Sequence, residues 1–501
     1  MSLQLAFAAP VALALVGAVL SLAAEAVERE RLSIIVSSVA LGAAAVIALV
    51  GAATVAPGAV WGVFVSGAGY SMAACVIMAL GALACVTSLS APEKGRAALC
   101  GLISISAAAL AVLAATNDII VMVVALETAA VVGYALVALA RTPRASEAAM
   151  KYFVQGAVAT AVLVLGIAAA VLAGVLVPAG GGLSSVLSGS EASAAMIAIA
   201  LVFAAFAFKL GAFPFHSWAP DTYETAPPEA AAFLSSAVKV GVLVAVYTLL
   251  TSVLAQEGLL VRVQWLVAGI AAASVVFGNL AALAQRSYTR LLAYSGIAQV
   301  GYGLTAIVTG NGNAALLFVS AYGCAAAGAF AAARAYRSTA PDWDGSIAGM
   351  AGFARRAPVL SAALAVLLFS LTGIPPLFGF WGKFLVFLSA AAATSPSWVW
   401  LAVVGLLGSV VSFGYYGYVL KTVYFDDSAP EGETSAKEPA AEVLNAAEGD
   451  SPSGRESIGP ATWVVIGLAA VVLVGGLIPL IGGLTRLVGI DPPGLFTLGP
   501  F

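Results

Sequence analysis

Four ionisable side chains stand inside long apolar runs of this sequence, where solvation by water does not explain them. They are Glu127, Lys209, Lys239 and Lys383. A lysine at the centre of a membrane-spanning helix costs roughly 2.5–3.5 kcal/mol on insertion scales, so such residues rarely persist without a role. Because buried amines and carboxylates can bind and release protons, the pattern predicts a proton relay. The alternative is a set of static ion pairs that hold helices together.

Glu127 stands about ten residues into an apolar segment, in VMVVALETAAVVGYAL, and the buried lysines are its obvious partners. Lys209 lies in FAFKLGAFPF, where Gly211 and Pro214 predict a distorted helix beside the charge. A pair formed by Glu127 and Lys209 would couple the proton affinities of the two groups.

The other two lysines have different surroundings in the sequence. Lys239 lies in LSSAVKVGVL, with Ser235 one turn earlier on the same helical face, where its hydroxyl could hold a water. Lys383 follows a second helix break, GIPP at 373–376. Lysines near helix breaks that are far apart in sequence are typical of inverted-repeat transporters.

Further polar groups are candidates for helpers along the same axis. The candidates are His216, Ser235, Tyr294 and Tyr302, with Asn279, Ser295, Gln299, Tyr415 and Tyr416 as additional polar side chains. Each by itself is more typical of an interhelical hydrogen bond than of a relay. An unperturbed imidazole titrates near neutral pH, so His216 could take part in proton transfer, and its alternative role is to anchor the loop to Asp221.

The composition is typical of a polytopic membrane protein. Of 501 residues, 62% are apolar and 9% charged, and the mean hydropathy is +1.06. A net charge of −3 without basic tracts argues against nucleic acid as a partner. Four cysteines without CxxC spacing and a single histidine argue against iron–sulfur, zinc and haem sites, so we expect no cofactor or metal on this chain.

Hydropathy predicts an all-α fold of about fourteen transmembrane helices. The predicted spans are 4–25, 33–53, 69–90, 97–115, 118–140, 150–175, 193–213, 229–253, 263–284, 290–309, 313–336, 358–393 (interrupted), 398–424 and 460–484. With the N-terminus outside, sixteen of the 21 basic residues fall on the inner side and two on the outer side. This asymmetry predicts that both termini lie outside the cell membrane. The remaining three basic residues, Lys209, Lys239 and Lys383, lie within predicted spans. The orientation of the chain in the membrane therefore does not explain their positions.

Two connecting segments have a biased composition. PAGGGLSSVLSG at 178–189 lacks the context of a phosphate-binding loop and is interpreted as a linker. The segment 425–459 is acidic, rich in Pro and Ser and without apolar periodicity, which predicts a mobile inner loop.

Several ordered motifs resemble subunit N of the antiporter-like membrane subunits of proton-pumping NADH–quinone oxidoreductase, respiratory complex I. They are ALETAA at 125–130, RTPRASEAAMKYFVQGA at 141–157, FKLGAFPFHSWAPDTYETAP at 208–227 with the following FLSSAVKVG, QRSYTRLLAYSGIAQVGY at 285–302, and GIPPLFGFWGKF at 373–384. TYETAP at 222–227, Lys383 in the broken twelfth helix and the fourteen-helix length favour subunit N over the sister subunits M and L. The sequence departs from the family motif at Thr289 and Gln299, where Lys and His are common.

The resemblance implies a role for each residue and a set of partners. Glu127 and Lys209 would be the coupled pair, Lys239 the central relay lysine and Lys383 the terminal site. It also implies two inverted five-helix repeats with broken helices, in domains 1–96, 97–253 (first repeat), 254–424 (second repeat), 425–459 (loop) and 460–501. The implied partners are other complex I subunits, especially subunit M and small membrane subunits, which would carry the FMN, the iron–sulfur clusters and the quinone site.

Two other functions remain open at this point. The same fold serves multi-subunit Na⁺/H⁺ antiporters, which would run on an ion gradient without NADH. A structural scaffold of the membrane arm would use the buried charges only to hold helices together.

Overall fold

A computed structural model describes residues 3–54, 56–61, 63–90, 96–172, 190–254, 259–393, 397–426 and 459–487. Within these ranges the chain is almost entirely helical, which confirms the predicted all-α membrane fold. The linker predicted at 178–189 and nearly all of the acidic loop predicted at 425–459 lie outside the described residues.

Within the described residues, the first half of the chain forms ten helices and one small hairpin. These elements are α1 (Leu3–Ala26), α2 (Glu30–Thr54), β1 (Gly58–Val60), β2 (Phe64–Ser66), α3 (Ala68–Thr87), α4 (Arg96–Ala115), α5 (Ile119–Ala138), α6 (Pro143–Leu172), α7 (Ser190–Leu210), α8 (Trp218–Thr225), α9 (Pro228–Ser235) and α10 (Ala237–Leu254). The two strands pair antiparallel, with Ala59 opposite Val65. A 3-10 turn, Ser88–Ser90, follows α3.

The described part of the second half forms eight helices. They are α11 (Leu259–Leu283), α12 (Tyr288–Val308), α13 (Gly312–Thr339), α14 (Phe353–Arg356), α15 (Pro358–Thr372), α16 (Phe378–Ala392), α17 (Val399–Phe425) and α18 (Pro460–Leu487). A second 3-10 turn, Ala348–Met350, precedes α14.

Twelve helical segments of the described chain are long and apolar enough to cross a membrane. The shorter apolar helices α7, α15 and α16 occupy the remaining two predicted spans, 193–213 and the interrupted 358–393. The predicted interruption is confirmed, because α15 ends at Thr372 and α16 begins at Phe378. The inverted repeats and the domain boundaries stay predictions.

The structure differs from the predicted spans in two places that matter for the site. The predicted span 229–253 is divided into α9 and α10 at Ser236, whose φ and ψ are −115° and −79°. A one-residue interruption leaves the hydropathy unchanged, so the sequence did not reveal it. The connection after α7 contains α8, which is too short and too polar to register as a span.

α6 begins at Pro143 rather than near 150, so the helix extends a polar first part beyond its apolar stretch. Proline is favourable at the first position of a helix. The Thr142 hydroxyl also accepts a hydrogen bond from the Ala145 amide at 3.1 Å. Pro143 and the hydrogen bond of Thr142 therefore favour a helix start that precedes the apolar stretch.

The helices that surround Lys239 lie in the middle of the bundle. In the spans Pro228–Thr251 and Tyr288–Val308, 94% of an apolar 18-residue window is buried inside the protein, compared with 28% of such a window in Pro143–Leu172. Other helices, such as α6 and α17, expose rows of large apolar residues. On α17 these residues include Val410 and Phe413. Such faces are typical of contact with lipid or with other membrane subunits.

Candidate functional site

The predicted pair of Glu127 and Lys209 is brought together between α5 and α7. Glu127 Oε1 lies 3.1 Å from Lys209 Nζ, and the lysine side chain is buried. Lys209 Nζ also donates to the Tyr134 hydroxyl at 3.4 Å. Because the Glu127 side chain is 26% exposed, it can contact both the lysine and the environment outside the subunit.

Local structure explains the positions of both members of this pair. Asp118 caps the N-terminus of α5 by accepting from the Ile120 and Val121 amides, which fixes where α5 starts. Lys209 is the penultimate residue of α7, which ends before Gly211 at φ +70°. A cation in the last turn of a helix is stabilised by the partial negative charge of the free carbonyl groups.

Lys239, the third residue of α10, has neutral hydrogen-bond partners. Its Nζ donates to the Gly296 carbonyl at 2.8 Å and to the Tyr322 hydroxyl at 3.2 Å. The ammonium also lies 5.4 Å from the centroid of the Tyr322 ring. Among the described residues no carboxylate lies within 4 Å of it. If Lys239 is neutral, its nitrogen can accept a hydrogen bond from the Tyr322 hydroxyl. The site can therefore accommodate both protonation states of the lysine.

Lys383 contacts the broken end of α15. Its Nζ donates to the carbonyl oxygens of Leu371 at 2.8 Å and Thr372 at 2.9 Å. These are among the last carbonyl groups of a helix, which lack helical partners and carry partial negative charge. The ammonium lies 4.6 Å from the Tyr302 ring centroid, and the Ser409 hydroxyl accepts at 3.4 Å. The predicted helix break therefore provides the hydrogen-bond acceptors of Lys383.

α12 contributes contacts to both of these lysines. Gly296 supplies the carbonyl for Lys239, and Gln299, one turn further on, donates through Nε2 to Leu371 O at 2.9 Å. Leu371 O thus accepts from Gln299 and from Lys383 together. Within two turns, α12 connects the surroundings of the two lysines through hydrogen-bonding groups.

The four helper candidates are placed differently from one another. Tyr302 contacts Lys383 and accepts from Asn279 Nδ2 at 3.3 Å. The Ser235 hydroxyl donates to Ala232 O at 3.2 Å, and the helix is interrupted between Ser235 and Lys239. His216 and Tyr294 both pack against the ring of Phe277.

The alternative anchor for His216, Asp221, pairs with two cations on neighbouring helices. Its carboxylate lies 2.8 Å from Arg290 Nη1 and 3.5 Å from Lys151 Nζ. Glu224 lies 3.0 Å from the same Arg290 nitrogen. These partly exposed pairs connect α6, α8 and α12 at one end of the bundle.

A second buried charge cluster, which the sequence did not predict, joins Arg96, Glu229 and Arg334. Arg334 donates to Glu229 through Nε at 3.3 Å and through Nη2 at 3.1 and 3.2 Å. Arg96 Nη1 lies 3.7 Å from Glu229 Oε1. The charge count places both arginines on the inner side of the membrane, and the structure shows them buried in α4 and α13. The available signal was Glu229 itself, a lone carboxylate at the head of an apolar helix.

Within the described residues, no group of three or more His, Cys, Asp or Glu side chains forms a candidate metal site. Cys85 and Cys100 are buried, Cys75 and Cys324 are partly buried, and all four are free thiols. The prediction that this chain carries no metal or redox cofactor remains a prediction.

The fold and the buried lysines define a polytopic helical membrane protein with ionisable residues inside its helix bundle, which is typical of proteins that move ions or protons. The chain belongs to the family described as NADH:quinone oxidoreductase/Mrp antiporter, TM, whose model matches residues 116–412. This match contains Glu127, Lys209, Lys239 and Lys383.

Curated relatives point in the same direction. A protein from Sphingopyxis alaskensis named NADH-quinone oxidoreductase subunit N is 35% identical over 333 residues, which is 66% of this chain and 68% of the relative. A protein of the same name from Desulfovibrio desulfuricans is 38% identical over 67% of this chain and 69% of its own length.

Two solved structures share the fold. A chain of respiratory complex I from Thermus thermophilus with bound aureothin is 27% identical, with a TM-score of 0.75, over 94% of this chain and 98% of that chain. A chain of the Mrp complex from Dietzia sp. has the same TM-score at 20% identity, covering 98% of this chain and 97% of that chain. The second likeness concerns the fold alone.

Proposed function

We propose that this chain is the antiporter-like, proton-translocating membrane subunit of an NADH–quinone oxidoreductase, equivalent to subunit N. The observation that carries the relay is the placement of three buried lysines on hydrogen-bond acceptors, with α12 reaching two of them. The subunit N names of the relatives support the choice of complex.

In the proposed mechanism, quinone reduction elsewhere in the complex changes the interaction between Glu127 and Lys209. Lys209 then releases its proton through water toward Lys239, and Lys239 passes a proton toward Lys383. Tyr322, next to Lys239, and the free carbonyl groups at the end of α15 stabilise the two later sites. Loss of positive charge along the axis permits the first lysine to be reloaded.

The assembly follows from the same proposal. The chain lies in the cell membrane with both termini on the outer side, beside subunit M and small membrane subunits. FMN, iron–sulfur clusters and quinone are bound by partner subunits, and this chain contributes to the oxidoreductase as a translocase subunit without its own redox centre. The helix interruptions after α7 and after α15 would be corresponding features of two inverted repeats.

The test replaces Lys209, Lys239 or Lys383 with Met in the intact complex. Protons moved per NADH oxidised are measured in inverted membrane vesicles, after the amount of assembled complex has been determined on a native gel. Lys421→Met is the matched control, because Lys421 is exposed and pairs only with Asp426 at 3.0 Å among the described residues. We expect the three buried variants to lose proton movement and the control to keep it.

Normal proton movement per NADH in all three assembled variants would disprove the relay and favour the static scaffold. Isolation of the complex separates the remaining alternative. Co-purification with flavin and iron–sulfur subunits supports the oxidoreductase, whereas their absence together with Na⁺-dependent proton exchange supports a multi-subunit antiporter.

A further inference from the structure

Glu229 is a buried carboxylate that forms ion pairs with two arginines from distant parts of the chain. Its exposed fraction is 1%, and Arg96 and Arg334 are 5% and 4% exposed. Arg334 binds it through two guanidinium nitrogens, and Arg96 approaches it from the other side. Planar guanidinium groups favour this type of multiple contact with a carboxylate.

This cluster fixes the start of α9. Glu229 belongs to the first turn of α9, whose N-cap is Pro227 and makes no side-chain capping bond. Arg96 is the first residue of α4 and also donates to Ser88 O at 3.0 Å, just after α3. The cluster therefore connects the beginning of α9 to three other helices, α3, α4 and α13.

α9 leads directly to the central lysine. It ends at Ser235, the chain is interrupted at Ser236, and Lys239 follows within the first turn of α10. Glu229 and Lys239 are separated by ten residues, with the interruption at Ser236 between them. A change in the position of α9 is therefore carried into the position of Lys239.

α13 contacts the same two helices at two levels. Arg334 binds Glu229, and Tyr322, twelve residues earlier and about 18 Å away along the helix, accepts from Lys239. Gly323, next to Tyr322, packs against α3 and α10, since a Cβ there would lie 3.1 Å from Leu80 Cδ1 and 3.4 Å from Val240 Cγ2. α13 thus contacts Glu229 through Arg334 and Lys239 through Tyr322.

Lys239 depends on the alignment of these helices because it has only neutral hydrogen-bond partners among the described residues. A strong ion pair would hold an ammonium in place despite small movements of the helices. Hydrogen bonds to one carbonyl and one hydroxyl are lost when the donor moves by a fraction of an ångström beyond their normal range.

We propose that Arg96, Glu229 and Arg334 are positioning residues for Lys239, which hold α9 and α10 against α13 so that the Lys239 amine reaches Gly296 O and the Tyr322 hydroxyl. This inference rests on the proposed relay function of Lys239. The cluster itself exchanges no proton in the cycle; it acts through the placement of the lysine.

The test uses Glu229→Gln in the intact complex, because glutamine keeps the shape of the side chain and removes its charge. Proton movement per NADH is measured from pH 6 to pH 9 on assembled complex, together with a cryo-electron microscopy map of the variant. Arg334→Lys is the conservative partner variant, and Glu147→Gln is the control for loss of an exposed ion pair with Lys151.

We expect Glu229→Gln to lower proton movement about tenfold, within the about 100-fold that a displacement of about 1 Å can cost a reacting group. The pH at which proton movement is half-maximal should shift, and the map should show Lys239 withdrawn from Tyr322. Arg334→Lys should restore part of the activity lost in Arg334→Gln, and Glu147→Gln should resemble the unmodified complex. A reduced amount of complex with unchanged proton movement and pH profile would overturn the inference and leave a purely structural cluster.

A second background separates this inference from the relay proposal. If Lys239→Met impairs proton movement, Glu229→Gln added to it should cause no further loss per assembled complex, since both act through one lysine. A further, independent loss would overturn the positioning role while the relay stands. Normal proton movement in Lys239→Met alone would instead disprove the relay and with it the purpose assigned to the cluster.

Discussion

Lys383 on α16 donates hydrogen bonds to Leu371 O and Thr372 O, the last carbonyl groups of α15, which belongs to the same interrupted span. The lysine thereby satisfies backbone groups that the helix break leaves without partners. In an apolar surrounding such groups are costly when unpaired, so the charge and the break stabilise each other.

Gly373→Ala should disturb this arrangement. Gly373 has φ +94°, and a Cβ there would lie 3.0 Å from Lys383 Cδ. The left-handed conformation costs an alanine about 1–2 kcal/mol, and the new methyl group should push the lysine away from α15. We expect a clear loss of proton movement per NADH, measured in membrane vesicles.

Gly310→Ala is the matched control for Gly373. Gly310 also has a positive φ of +69°, but a Cβ there would meet no atom within 4 Å. Both variants carry similar backbone strain, so equal losses of proton movement would show that strain alone, rather than Lys383, accounts for the effect.

Gly296→Ala should separate stability from function at Lys239. A Cβ at Gly296 would lie 2.7 Å from Lys239 Nζ and 3.1 Å from the Tyr322 hydroxyl. Because the lysine end is flexible and alanine favours a helix over glycine by about 0.5–1 kcal/mol, the complex should assemble normally. We expect proton movement to fall several-fold while the melting temperature of the complex changes little.

The control at this site is Gly269→Ala on α11, where a Cβ would have no neighbour within 4 Å. It should retain proton movement. Unchanged activity in Gly296→Ala would contradict the importance of the contact between Lys239 and Tyr322.

Gly408→Ala should weaken the packing of α17 rather than the relay directly. A Cβ there would lie 2.5 Å from Val275 Cγ1, 2.8 Å from the Tyr302 hydroxyl and 2.9 Å from Asn279 Nδ2. Overpacking of this type typically costs about 1–3 kcal/mol. We expect less assembled complex on native gels, with Gly417→Ala on the same helix as the control, because that site has open space.

Glu127 and Lys209 should behave as a coupled pair. Glu127→Gln and Lys209→Gln each leave one charge without its partner, whereas the double variant removes both. Contacting residues typically show interaction energies of about 0.5–3 kcal/mol, so the losses in assembly should not add. The measurement is the thermal stability of the three variants and their proton movement per NADH.

Thr128→Val, which alters the neighbouring residue on α5 without touching a charge, is the control. Strict additivity of the Glu127 and Lys209 substitutions would mean that the 3.1 Å contact carries no coupling. In that case the first step of the proposed relay would have to begin at another residue.

Much of the fold and the four main site residues could be predicted from local properties of the sequence. Apolar runs predict membrane helices, and a charge within such a run is conspicuous because its burial is costly. The interruption between α15 and α16 was also predictable, since Gly373 and the two prolines after it cannot continue a helix. By contrast, the division between α9 and α10 lies at a serine within an uninterrupted apolar segment.

Hydropathy and buried charge predict the class of protein, the positions of most of its membrane helices and the ionisable side chains whose burial is costly. The packing of the helices sets which groups contact these side chains. Lys239 meets a hydroxyl 83 residues away, and Arg334 meets a carboxylate 105 residues away. Such contacts depend on how helices pack rather than on hydropathy. For that reason hydropathy and the charge count did not predict the contacts that Arg96 and Arg334 make with Glu229.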